Sequence, residues 1–290
     1  MFTETTFTLQ EAPHASHMTI LRDSEAVPQA LIFYLHGGGL LYGLRTDLPM
    51  LHRQRLTEAG YIIAALDYPL APAADLPMIL HSLAEDIVHV LTYPAAFSLP
   101  EHLPFFLWGR SSGAYLSLLL CSMTPRMIPI PRGVISYYGY GFLTEGWADT
   151  PSSYYCSLPL VTADCLAALP SQIHTEGPLE THYSSYVYAR QSGHWISLFY
   201  RGDDRGFRNA YTLRSVEQLP CPLFCTHAVE DPDVPFAEFQ TMINRYHPDK
   251  YIASGDVHDF DRKDTSFQTK KLLTLTLKFL NQQCSIGDSL

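Results

Sequence analysis

Positive charge is scarce in this sequence: its 290 residues carry 19 Lys and Arg against 29 Asp and Glu, a formal net charge of -10 at pH 7. Surfaces that neutralise nucleic-acid phosphates or anionic lipid need clustered cations, so no nucleic-acid partner is expected. Small neutral or cationic substrates remain open. Long apolar runs are missing as well. None approaches the roughly 20 residues that span a bilayer, and the longest, Tyr115 to Cys121, follows a glycine turn as a buried helix would. No stable membrane insertion is expected. The first ten residues, MFTETTFTLQ, have neither the basic nor the apolar region of a secretory signal, which makes cytoplasmic residence the default expectation. The six cysteines, at 121, 156, 165, 221, 225 and 284, are too scattered for a compact disulfide framework and read as reduced thiols. Cys221 and Cys225 are accompanied by no second Cys/His pair at zinc-ligand spacing. They read as core thiols, and no metal is expected. Internal repeats and low-complexity tracts are also absent.

What remains is an ordinary globular balance, 47% hydrophobic and 17% charged, in a chain long enough for one large α/β domain or two small ones. Strand-like pieces occur at Thr6 to Leu9 and Met18 to Arg22. Continuous apolar runs at Ala30 to Leu35, Tyr61 to Leu66, Leu103 to Trp108, Gly133 to Tyr138 and Pro222 to Thr226 suit strands covered on both faces of a parallel sheet. Helical patterns lie between them, at Asp47 to Ala59 and at Asp75 to Leu91, the latter with Asp75 as its cap and Pro77 in its first turn. A helix near Pro235 to Tyr246, a short strand near Tyr251 and a helix from about Thr265 to Asn281 complete the series. Such alternation predicts an α/β fold with a mainly parallel sheet and helices on both faces. From about Thr144 to Pro220 no alternation can be placed. The reading is therefore a core of residues 1–143 and 220–290 with an inserted cap at 144–219. Ligands of open α/β sheets bind beyond the carboxyl ends of the strands, so this cap is expected to roof the site, with Tyr154, Tyr155, Tyr183, Tyr186 and Tyr188 as candidates for setting substrate size. A second-face helical layer without substrate contact is the alternative.

Gly109-Arg110-Ser111-Ser112-Gly113 stands between an apolar strand and an apolar helix. A nucleophile on a sharp strand-to-helix turn needs glycine neighbours two residues away on each side, and the following helix N-terminus favours developing negative charge. Ser111 is the candidate nucleophile; Ser112 sits one residue off the glycine-flanked centre. Upstream, His36-Gly37-Gly38-Gly39 follows directly on a strand, where glycines let main-chain amides approach an oxyanion. His36 reads as support for that loop rather than as a second base.

With these two motifs and Asp67-Tyr68-Pro69-Leu70-Ala71-Pro72, the chain resembles the hormone-sensitive-lipase-like branch of the α/β-hydrolases, whose members pair an HGGG loop with a GDSAGG-type elbow and a DYRLAPE run. The resemblance extends over most of Ala30 to Phe260. It implies that the amides of Gly38, Gly39 and Ser112 form an oxyanion hole, with Gly37 supporting the loop. It also implies carboxylesterase activity on short to medium acyl chains without a cofactor. A serine hydroxyl needs a histidine to take its proton and a carboxylate to orient that histidine, and the fold supplies them in the order Ser, Asp, His. Asp231 in Glu230-Asp231-Pro232-Asp233-Val234-Pro235 resembles the family's acid, with Glu230 and Asp233 as rivals. His258, in a loop resembling the family's H-G-F, is the base. His247, at the end of a helical pattern, reads as exposed. Departures are Arg110 for the usual acid, Ala114 for a second glycine, Pro69 and Ala73 for the Arg and Glu of the DYRLAPE run, and Asp259 for glycine. Arg110 could anchor an anionic substrate or pair with a nearby carboxylate. Tyr42, Arg45 and Asp47 stand either at a pocket mouth or on ordinary surface. Only about thirty-five residues precede the HGGG loop, so a family-type N-terminal cap is expected to be truncated. An aminopeptidase or amidase on the same scaffold, and a non-catalytic small-molecule receptor, are the rival functions. A small ester is the expected partner, and the sequence does not set the oligomeric state, a homodimer included.

Overall fold

A computed structural model describes residues 1–10 and 15–287. In chain order the strands are β1 (Phe2–Gln10), β2 (Ser16–Asp23), β3 (Ala30–Leu35), β4 (Tyr61–Leu66), β5 (Phe105–Arg110), β6 (Val134–Tyr137), β7 (Leu223–Ala228) and β8 (Asp249–Ala253). They form one eight-stranded sheet in the order β1-β2-β4-β3-β5-β6-β7-β8. β1 and β2 form an antiparallel hairpin laid antiparallel on β4, and every pairing from β4 to β8 is parallel. This is the α/β architecture the sequence predicts. The apolar runs explain it: all residues of β3, β4, β5 and β7 are buried, as strands sandwiched between helical layers must be.

The helices are α1 (Met50–Glu58), α2 (Leu76–Thr92), α3 (Ser112–Ser122), α4 (Ser153–Cys156), α5 (Asp164–Ala167), α6 (Leu179–Ser192), α7 (Trp195–Phe199), α8 (Asp204–Ala210), α9 (Phe236–Tyr246) and α10 (Phe267–Gly287). Alternate residues of β3 show how the layers divide. Leu31, Phe33 and Leu35 belong to the core cluster that includes side chains of α2, α3 and α9, whereas Ala30, Ile32 and Tyr34 belong to the one that includes side chains of α1 and α10. The Asp75 side chain accepts from the Met78 amide at 3.0 Å and caps α2 as its sequence predicts. Element ends shift by a few residues, the largest shift being α10, which runs on to Gly287. The core-thiol reading holds for Cys225, which is buried in β7. Cys221 is only partly buried, with its sulfur 3.5 Å from that of Cys121.

The stretch between β6 and β7, where no alternation could be placed, is helical but broken. Four of its five helices have four to seven residues, too few to display a 3.6-residue period. Among the described residues no helix is long and apolar enough to cross a membrane.

Candidate active site

β5 passes into α3 with only Ser111 between them, and its backbone sits at φ 53°, ψ -118°. A side-chain-bearing residue there costs about 1–3 kcal/mol and persists only where its surroundings fix it. Here the Ser111 amide donates to the Tyr137 carbonyl at 2.9 Å, and its own carbonyl accepts from Ala114 and Tyr115 at 3.0 and 3.1 Å. The flanking glycines are required by contact. A Cβ on Gly109 would lie 2.1 Å from the Gly113 carbonyl, and one on Gly113 would lie 2.1 Å from the Leu35 carbonyl oxygen. The turn leaves Ser111 half-buried at a cleft, while Ser112 is fully buried.

Two loops from the far end of the sheet complete a hydrogen-bonded line. His258, after β8, lies with Nε2 2.9 Å from Ser111 Oγ. Its Nδ1 donates to Asp231 Oδ2 at 2.6 Å, and Asp231 Oδ1 accepts from the amides of Asp233 and Val234 at 2.9 and 3.0 Å. Of the rival acids, Glu230 is exposed. Asp233 sits on the other side of the imidazole, its Oδ2 4.0 Å from Nε2. His227, which the sequence reading did not single out, stands 3.2 Å from Asp231 Oδ2 and donates through Nε2 to the Val234 carbonyl at 2.9 Å. Its only signal was its place four residues before the acid.

Burial disfavours charge on Asp231, but His258 beside it and hydrogen bonds from both imidazoles hold its carboxyl well below the usual carboxylate range. Burial disfavours the imidazolium of His258 too. The facing Asp231 carboxylate, with Asp233 and Asp259 nearby, nevertheless carries its pKa from 6.5 up to about 9. Such a line can take a proton from a hydroxyl and hold the resulting cation.

The His36–Gly39 loop abuts the turn, since a Cβ on Gly37 would lie 3.3 Å from Ser111 Cβ. Gly38 accepts from the amides of Leu41 and Tyr42 at 3.0 and 3.1 Å, folding the loop back. The amides of Gly38, Gly39 and Ser112 donate to no acceptor among the described residues. Buried His36 braces the loop from behind: Nδ1 bonds the Gly37 carbonyl at 2.8 Å, its ring stacks on Tyr68 at 4.2 Å, and the Tyr68 hydroxyl donates to its carbonyl at 2.9 Å. The segment between β6 and β7 reaches the same loop, with Trp195 Nε1 donating to the Gly39 carbonyl at 2.8 Å. Tyr42, Asp47 and Tyr186 line the cleft, whereas Arg45 pairs with Asp67 at 2.7 Å. Tyr155 and Tyr183 stand behind, packed on Tyr186 and Tyr42, and Tyr154 is exposed. Among the described residues no three His, Cys, Asp or Glu side chains gather as metal ligands.

Arg110 is committed to a buried network. Its Nη2 donates to Asp261 Oδ1 at 2.8 Å and its Nε to the Tyr138 hydroxyl at 2.6 Å; that hydroxyl donates to Asp261 at 2.8 Å. His52 Nε2 lies 3.0 Å from the other Asp261 oxygen. The pair ties the residue before Ser111 to one three positions after His258, and the Tyr138 ring meets the His258 ring edge-on at 4.7 Å. Arg110→Met would leave a fully buried carboxylate facing only neutral donors and an imidazole. Its expected effect is a loss of about 3–5 kcal/mol in urea-induced unfolding. A loss below about 1 kcal/mol would mean that Asp261 carries no charge in the folded protein.

A family model described as alpha/beta hydrolase fold matches residues 32–198. An acetyl esterase of Salmonella schwarzengrund strain CVM19633 is 28% identical over 107 residues, which cover 37% of this chain and 32% of that relative. Among solved structures, a protein of unknown function from Staphylococcus aureus subsp. aureus Mu50 superposes with a TM-score of 0.81 at 28% identity, covering 97% of this chain and 100% of the other. An alpha/beta hydrolase superfamily protein from Enterococcus faecalis does so with a TM-score of 0.81 at 25% identity, covering 97% and 99%.

Proposed function

Because this chain belongs to the α/β-hydrolase fold family, in its hormone-sensitive-lipase-like branch, we propose that it is a serine esterase acting on small carboxylic esters of short to medium acyl chain. The observation that carries the reading is the line Ser111 Oγ to His258 Nε2 at 2.9 Å and His258 Nδ1 to Asp231 Oδ2 at 2.6 Å, beside the unpaired amides of the glycine loop. Ser111 Oγ attacks the ester carbonyl carbon as its proton passes to His258 Nε2, and Asp231 holds the imidazolium. The carbonyl oxygen becomes an anion facing the amides of Gly38, Gly39 and Ser112. His258 then gives the proton to the departing alcohol, leaving an acyl-Ser111 ester. Water, deprotonated by the same imidazole, hydrolyses that ester and restores the serine. Residues 144–219 act as the roof over this chemistry. A binding-only receptor has no use for a histidine held in this line.

The direct test is labelling with a fluorophosphonate together with turnover of p-nitrophenyl esters. Label on Ser111 with ester hydrolysis is expected; absence of both would sink the proposal. The pH dependence follows from the same geometry. His258 must be neutral to accept the proton, and its charged form is favoured up to about pH 9. The ratio kcat/KM should therefore rise with pH, about tenfold per unit, until it levels off near that value. A rising limb at or below the ordinary histidine pKa of 6.5 would show that Asp231 does not charge-stabilise the imidazole.

A further inference from the structure

The cleft over Ser111 is small, enclosing about 50 Å³. That leaves room for only a few water-sized groups beside the nucleophile. That is the methyl, the carbonyl and the ester oxygen of an acetate. The wall that makes it so small comes from α6. The Tyr186 ring lies across the glycine loop so closely that a Cβ on Gly39 would sit 2.2 Å from its Cε2. Its hydroxyl donates to the Asp233 carboxylate at 2.8 and 3.0 Å, and that carboxylate stands 4.0 Å from His258 Nε2. Ring and carboxylate together form a partition from the glycine loop to the imidazole.

Neither part is free to swing away. Tyr186 is 3% exposed and packs against Tyr42, Tyr155 and Trp195, with ring centroids at 5.9, 5.5 and 5.8 Å. Arg190, buried among Trp147, Tyr155 and Trp195, holds Asp233 from behind: Nη2 donates to its carbonyl at 3.1 Å and Nε lies 3.4 Å from Oδ1. Burial also keeps the phenol protonated well above pH 10, so it remains a donor to Asp233.

We infer that Tyr186 narrows the short-to-medium acyl range proposed above to acetyl, so that the substrates are acetate esters. The inference rests on Ser111, His258 and Asp231 acting as proposed above. With the carbonyl oxygen on the loop amides and the ester oxygen at His258 Nε2, the carbon substituent of the acyl group is left facing the partition. In this arrangement the alcohol is set toward Arg262, which lines the cleft and is half exposed, and the limit falls on the acid half of the ester.

The experiment compares kcat/KM for p-nitrophenyl acetate, butyrate and hexanoate in the wild type, Tyr186→Phe and Tyr186→Ala, each with folding checked by circular dichroism. A misfit of one methylene is worth about 10- to 200-fold. The wild type should accordingly prefer acetate to butyrate by about tenfold or more. Tyr186→Phe, which keeps the ring, should retain the order, and Tyr186→Ala should raise butyrate relative to acetate by about tenfold or more. Equal use of acetate and hexanoate by the wild type overturns the inference without any variant. An unchanged ratio in folded Tyr186→Ala overturns it as well. Should that variant fail to fold, Tyr186→Leu takes its place, with the same ratio deciding. Loss of all turnover and of fluorophosphonate labelling in the wild type would instead overturn the esterase reading itself.

Discussion

Replacing Ser111 by Ala is expected to lower kcat for ester hydrolysis by about 10⁶-fold, as loss of the nucleophile does in serine proteases, and to abolish fluorophosphonate labelling. That is about 8 kcal/mol of transition-state stabilisation, far more than the hydroxyl contributes to the fold. Among the described residues its only hydrogen bond runs to His258 across a cleft, and the bent backbone is held by main-chain bonds to Tyr137, Ala114 and Tyr115. The melting temperature should barely move. The control is Ser112→Ala, whose hydroxyl is fully buried away from the cleft. If Ser112→Ala silences the enzyme and Ser111→Ala does not, the turn has been read in the wrong register.

Asp231→Asn is expected to lower kcat by about 10⁴-fold. The carboxylate fixes the imidazole with Nδ1–H toward it and Nε2 toward the serine. An amide presenting its NH2 there would turn the tautomer round and remove the charge that carries His258 above 6.5. The remaining activity should therefore show its pH limb moved down as well as its plateau lowered, which a merely structural loss would not produce. Near-normal turnover would transfer the role to Asp233, the other carboxylate at the imidazole.

Sequence alone displays the parts of this molecule whose rules are local. The wholly buried, mainly apolar β3, β4, β5 and β7 and the Asp75 cap are legible because burial on both faces and capping act within a few residues. β8 is less so: Asp249, Lys250 and Ile252 are exposed on the sheet's edge, leaving only Ala253 fully buried. The glycines around Ser111 announce a crowded turn because nothing larger fits. What no spacing rule reveals is the set of contacts closed by tertiary packing. Arg110 was visible as a departure from a family pattern, but its partner lies 151 residues away among several equally acidic candidates. His227 and Tyr138 belong to strand patterns that any buried aromatic residue would satisfy. That Tyr186, among five candidate tyrosines, stands against Gly39 follows from the docking of α6, and its own helix pattern does not foretell it.

Ser111 and His258 are 147 residues apart, and the ion pair bracketing them closes a still longer loop. Contacts of such separation form late, because chain entropy must be overcome before they repay it. During synthesis Ser111 emerges long before His258, and on the proposed mechanism the half-made chain has a hydroxyl with nothing to activate it. Under the proposed mechanism, reactivity thus arrives together with the docking of β8 and α10, and a chain that stalls short of that step stays chemically silent.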